Sequence, residues 1–121
     1  MTKVASHRDL IVLQKAMDLA VLIYQLAAKL PSAETYRLVA QMTRAAASVP
    51  ANVAEGNARA SRRDYANFLA IAKGSLMETE TFVMLAVRLK YVSHQEVVLV
   101  LITEVSKMLT ALRSRLVGRV G

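Results

Sequence analysis

The sequence predicts an all-α chain, a single antiparallel up-down four-helix bundle. Three observations lead there. Apolar residues recur at helical spacing over four long stretches. Glycine (4) and proline (2) are too scarce for many turns. The stretches are separated by short polar segments carrying serine capping signals. The chain has the length of one domain, 1–121, with frayed ends expected at about 1–6 and 117–121. A globular chain of this size buries roughly two-thirds of its unfolded surface, so it needs neither metal nor disulfide to fold.

The first helix is expected over about 9–30. It opens at Ser6-His7-Arg8-Asp9, a serine followed three residues on by an acid. The hydroxyl accepts from an orphan amide, and the carboxylate favours the positive helix end. Its apolar set Leu10, Leu13, Met17, Ala20, Tyr24 and Ala27 lies close to a heptad seam. Pro31-Ser32-Ala33-Glu34 opens the second helix, over about 33–58, with Ser32 as cap. Ser61-Arg62-Arg63-Asp64 opens the third, over about 62–90, with Phe68, Leu69, Ala72, Leu76, Phe82, Val83 and Ala86 facing inward. Ser93-His94-Gln95-Glu96, a full capping box, opens the fourth, over about 94–117. Its inward set is Val98, Leu101, Ile102, Val105, Met108, Leu109, Leu112 and Leu116. The β-branched run at 97–101 reads as a strand in isolation, but the cap and the continuing 3.6-residue period favour helix.

The second helix has three flanks. Leu38, Val39, Met42, Val49 and Val53 form the core side, and Ala40, Ala47, Ala51, Ala54 and Ala58 form a side that lets another backbone come close. Between them runs a polar stripe of Arg37, Gln41, Arg44, Ser48, Asn52, Glu55 and Arg59, within an arc of roughly 80°. Three readings of the stripe stand open: an interhelical or inter-subunit hydrogen-bonding seam, a solvated face, and a ligand or nucleic-acid groove. Glu55 and Arg59 have the favourable acid-first i, i+4 order for a local ion pair. Glu78 and Glu80 are candidate partners for Arg44 or Arg37. Pro50 removes the amide that would bond Ala46, so a bend or a π-type turn is expected rather than a break, with Ser48 meeting part of the freed backbone.

Composition narrows the function classes. Sixteen basic and nine acidic residues give a net charge of +7, which favours acidic partners, nucleic acid first and anionic membrane second. Cysteine is absent, which excludes disulfides and thiolate metal sites. No uninterrupted apolar run approaches the ~20 residues of a membrane span, and MTKVASHRD lacks the apolar stretch of a secretory signal. The expected setting is therefore the cytoplasm, without membrane. Glu-x-x-His pairs are missing, and the histidines, His7 and His94, fall at expected helix starts. Gly56 and Gly74 are isolated and form no phosphate loop; Gly74 is expected to permit close backbone approach. The reading is of a non-enzyme with no cofactor and no metal.

The segment 41–59, QMTRAAASVPANVAEGNAR, carries a further signal. Arg44, Ala45, Ser48, Pro50, Asn52, Ala54, Glu55 and Gly56 match the core R-A-x-x-S-x-P-x-N-[IV]-A-E-G. That core is the motif of the four-helix-bundle proteins named after intervening sequences of bacterial large-subunit ribosomal RNA, which this chain resembles. Arg8-Asp9-Leu10 with 15–20 resembles the family's opening helix, and 68–75 with Glu78 and Glu80 its third; the likeness covers about residues 7–115. It implies a left-handed up-down bundle that assembles into a homopentamer. A related branch, the accessory variability proteins of diversity-generating retroelements, forms basic barrel-like pentamers that bind nucleic acid and reverse transcriptase. RNA, DNA, a reverse transcriptase or another protein are thus the partners implied. Where family members often carry an aromatic residue and a glycine after the Glu-Gly pair, this chain has Asn57 and Ala58.

The arginines suggest where such a partner would sit. Arg59, Arg62 and Arg63 flank the turn after the second helix, and Arg113, Arg115 and Arg119 end the fourth. In an up-down bundle these lie at one pole. Phosphate contact is the functional reading. The bland one is that they solubilise the pole and complement helix C-termini. No recognition motif or aromatic platform for base readout is visible. The expected function is a non-catalytic, pentameric nucleic-acid-binding or accessory protein, with a structural, protein-binding scaffold as the alternative.

Overall fold

The structure is a computed structural model and describes residues 7–118. It is an all-α four-helix bundle: α1 (His7–Ala27), a short 3-10 turn (Ser32–Glu34), α2 (Leu38–Asn57), α3 (Arg62–Arg88) and α4 (Glu96–Val117). Among the described residues there is no strand. Each helix packs against its two neighbours around the ring α1-α2-α3-α4, with α2 and α3 the most intimate pair. Leu19, Ile23, Met42, Val49, Leu69, Leu76, Ile102 and Leu109 fill the centre and are essentially fully buried.

The inward sets of α2, α3 and α4 are those the periodicity picks out. On α1 the heptad seam is the wrong face. Val12, Ala16, Leu19, Ile23 and Leu26 are buried, while Leu10, Met17 and Tyr24 are 40–53% exposed. Of that seam only Ala27 is buried, with Leu13 and Ala20 at the margin. The reason is that α1 is apolar on two sides about half a turn apart, and periodicity cannot choose between two apolar stripes. For the same reason α1 is long and apolar enough to cross a membrane by length and composition, with a third of that stretch buried.

Two caps also differ from expectation. Residue Arg37 leaves helical geometry (φ −120°, ψ −102°), so α2 begins at Leu38 rather than at 33. Its first amide bonds the carboxylate of Glu34 (3.3 Å), and Ser32 makes no cap. That carboxylate also accepts from the Tyr91 hydroxyl (2.7 Å). At α4 the N-cap is Gln95, whose side chain donates to the Ser93 carbonyl (2.8 Å) and caps no helix amide, and Glu96 turns to His94 (2.9 Å), so the Ser93 box does not form. Ser61 behaves as expected, its hydroxyl accepting from the amide of Asp64 (3.0 Å). Ser6, with 1–6 and 119–121 of the ends expected to fray, lies outside the described residues, while Val117 still belongs to α4.

The far end of α3 is closed by Lys90 in the left-handed region (φ 65°), with Tyr91 N bonding Ala86 O (3.0 Å) and Lys90 N bonding Val87 O (2.9 Å). This paired closure aims Tyr91 back at Glu34. α2 runs unbroken through the buried Pro50. Gly56 is where backbones approach closely, since a Cβ there would stand 2.7 Å from Phe68 Cβ. Gly74, expected to serve that purpose, has nothing within 4 Å.

Candidate functional site

The polar stripe divides into a bonded middle and wet ends. Ser48 and Asn52 are half-buried against α3, and the Ser48 hydroxyl meets that of Ser75 at 2.8 Å. Asn52 Nδ2 donates to both the carbonyl and the hydroxyl of Ser48 (2.8 Å each), and Thr79 Oγ1 donates to the Ser75 carbonyl (2.8 Å). Ser48 therefore uses its hydroxyl across the helix pair, not on the backbone freed by Pro50. Leaving such groups dry and unpaired would cost about 1–3 kcal/mol each, so this seam fixes the register of α2 on α3.

The remaining stripe residues are exposed and pair locally. Arg44 Nη2 donates to Gln41 Oε1 (2.5 Å), Arg59 pairs with Glu55 (2.7 Å), and Arg37 lies 3.6 Å from Glu34. Neither Glu78 nor Glu80 forms an ion pair among the described residues. The alanine flank is only partly covered: Ala40, Ala51 and Ala58 are exposed, while Ala47 and Ala54 are half-buried.

One pole gathers the start of α1, the end of α2, the start of α3 and the end of α4. The Tyr65 hydroxyl donates to Asp9 (2.8 Å) and accepts from Asn57 Nδ2 (3.3 Å), tying three helices together. Burial pushes the Tyr65 hydroxyl up to about 12, against a lowering by the Asn57 amide and with a further push from the bond to Asp9 and its charge. Arg62 reaches across to the last turn of α4, donating to the carbonyls of Arg115 (2.6 Å) and Leu116 (3.1 Å). Arg113 donates to the carbonyl of Ala66 (3.2 Å). The Arg59 guanidinium lies over Phe68, 4.7 Å from the ring centre.

The arrangement brings Arg59, Arg62, Arg63, Arg113 and Arg115 to one end, as the up-down reading requires; Arg119 lies outside the described residues. Arg63 and Arg115 are exposed, and their side chains make no hydrogen bond or ion pair among the described residues. Arg8, which sequence reasoning passed over, joins them, because Asp9 anchors the start of α1 to Tyr65. Chain direction alone was the signal: the first helix of an up-down bundle starts where the second ends. Six arginines thus face three carboxylates (Asp9, Glu55 and Asp64) at this pole. Among the described residues no cluster of His, Asp and Glu is placed to hold a metal.

Comparison with known proteins follows the same lines. Residues 8–111 match the family described as 23S rRNA-intervening sequence protein. The chain is similar to a solved protein with unknown function from the S23 ribosomal protein family of Bacteroides thetaiotaomicron. The TM-score is 0.80 at 29% identity, covering 88% of this chain and 97% of that one. No curated protein matches the chain.

Proposed function

Because the chain belongs to the 23S rRNA-intervening sequence protein family, we propose that it is a non-catalytic homo-oligomer, a pentamer, that binds nucleic acid through its arginine-rich pole in the cytoplasm, without a cofactor. The observation that carries this is the gathering of Arg8, Arg59, Arg62, Arg63, Arg113 and Arg115 at one end of a chain of net charge +7. Symmetric assembly multiplies that charge around a ring. Recognition is of phosphate and not of sequence, since among the described residues the aromatic rings near the arginines are taken up, Tyr65 buried on Asp9 and Phe68 beneath Arg59.

The assembly has a candidate contact in α1. Leu10, Met17, Val21 and Tyr24 stand 40–53% exposed on one side of a single helix. An apolar face of that kind is more often a protein contact than a wetted surface.

Salt titration of RNA and DNA binding tests the proposal. The affinity falls log-linearly with salt, at a slope of ~0.9 for each duplex phosphate neutralised. No binding at about 50 mM salt, where such contacts are strongest, refutes it. The scaffold reading has one observation in its favour: Arg62 and Arg113 already spend hydrogen bonds on helix carbonyls. Arg63→Ser and Arg115→Ser separate the two, because neither residue supports the fold through a side-chain bond.

A further inference from the structure

Between α3 and α4 lies an open groove of about 430 Å³, within the range of ~300–1,000 Å³ of small-ligand sites. Leu69, Met77 and Leu109 give it an apolar floor, Lys73 and Arg113 give it charge, and no carboxylate lines it. Both cations are available. Lys73 Nζ donates to Thr110 Oγ1 (2.6 Å) and joins no ion pair among the described residues. Arg113 uses only its Nε, on the Ala66 carbonyl, which leaves both terminal amino groups for a ligand. Arg113 also belongs to the pole, so the groove opens from the arginine cluster.

Gly74 marks the groove as kept open. A glycine inside a helix costs stability relative to alanine, and it is normally repaid by close packing. Here nothing lies within 4 Å of where a Cβ would stand. What the missing side chain does leave is room in the groove that Gly74 lines.

We infer that this groove seats an unpaired nucleic-acid strand, with a phosphate between Lys73 and Arg113 and the base on the apolar floor. The inference rests on the nucleic-acid reading above and adds to it a preference for single strands. Size supplies the reason. The groove holds about 430 Å³, the room of one small ligand, so it admits a single sugar-phosphate unit with its base. A duplex keeps its bases paired and stacked and cannot place one on the apolar floor, so it is left to the pole. With no aromatic ring in the lining, the base is held by apolar contact and no base is preferred.

Fluorescence anisotropy tests this with a labelled RNA strand of about twelve nucleotides, a length within the usual site sizes, and the same sequence as a duplex. The proteins are the full chain, Gly74→Ala, Gly74→Leu and Lys73→Gln. Open space at Gly74 lets both substitutions fold, and leucine fills the groove where alanine leaves most of it free. The full chain binds the strand more tightly than the duplex. Gly74→Leu and Lys73→Gln weaken strand binding about tenfold, the scale of one lost hydrogen bond to a charged group, and leave duplex binding unchanged, while Gly74→Ala matches the unaltered chain. Equal affinity for strand and duplex, or a Gly74→Leu that loses both together or neither, overturns the groove and leaves the pole reading standing. Absence of binding to either probe at low salt overturns both. Altered sedimentation of Gly74→Leu also overturns the inference, because it places the groove inside a subunit contact.

Discussion

Gly56 and Gly74 are both helical glycines, and propensity alone says that alanine at either stabilises by about 1 kcal/mol. The structure splits them. A Cβ at Gly56 would stand 2.7 Å from Phe68 Cβ, 2.8 Å from Tyr65 Cδ1 and 3.2 Å from the Tyr65 carbonyl. None of these is the free end of a flexible chain. Tyr65 is held by its bond to Asp9 (2.8 Å), and Phe68 lies beneath the Arg59 guanidinium. Relief therefore requires α2 and α3 to part, and overpacking of that kind costs about 1–3 kcal/mol. After the propensity gain, Gly56→Ala is expected to destabilise by up to about 2 kcal/mol, a fall in Tm of up to about 8 °C for a chain this size. Gly74→Ala meets nothing within 4 Å, so it keeps the full gain and raises Tm by about 2–4 °C. Melting followed by far-ultraviolet circular dichroism, at equal protein concentration because assembly shifts Tm, measures both. A Gly56→Ala protein that melts above the unaltered chain, alongside Gly74→Ala, would refute the reasoning.

The remaining predictions concern caps, stripe and surface. The Glu34 carboxyl is held below its ordinary value of 4.5 by the Tyr91 hydroxyl first, then by the Leu38 amide and Arg37, against partial desolvation. Its folded pKa is thus below its unfolded one, so its contribution is present above the ordinary value and lost as pH falls below it. The urea midpoints of the unaltered chain and Glu34→Gln should accordingly differ at about pH 7 and converge by about pH 3; a gap that stays constant tells against this cap. Asn52→Ala should cost about 1 kcal/mol in urea unfolding, since its amide serves Ser48 twice. Arg44→Ala, exposed, should stay within about 0.5 kcal/mol and act on sedimentation instead. Equal destabilisation by the two would contradict the division of the stripe into bonded and wet parts. Val21→Glu, on the exposed side of α1, should leave the helical content intact while reducing the sedimenting mass. An unchanged mass removes α1 from the subunit contact.

The helices themselves were legible because their signals are local. The 3.6-residue period places the core faces of α2, α3 and α4 correctly, and the Ser61 cap forms as written. The misreadings share one cause, a competitor distant in sequence. Ser32 is the better local cap for a helix starting at 33, but Glu34 wins because Tyr91, 57 residues on, orients its carboxylate toward Leu38. Ser93 loses its box because the chain leaving the Lys90 turn enters α4 through Gln95. The pole followed from topology, yet its inner bonds did not: nothing local says that Arg62 reaches the carbonyls of 115 and 116.

α1 shows what such a misreading can reveal. A helix that must face only one core needs one apolar stripe, and a second is tolerated only where something covers it or function requires it. Here the core side is Val12, Ala16, Leu19, Ile23 and Leu26, and the second stripe, Leu10, Met17, Val21 and Tyr24, is left outside by a bundle whose four helices are already packed in a ring. No rearrangement within one chain buries both, since turning α1 to hide one exposes the other. The alanine flank of α2 was expected to meet a neighbour, and three of its five residues, Ala40, Ala51 and Ala58, are exposed. An apolar stripe on α1 and the exposed alanines of α2, which the chain itself leaves open, are the physical support for the assembly proposed above.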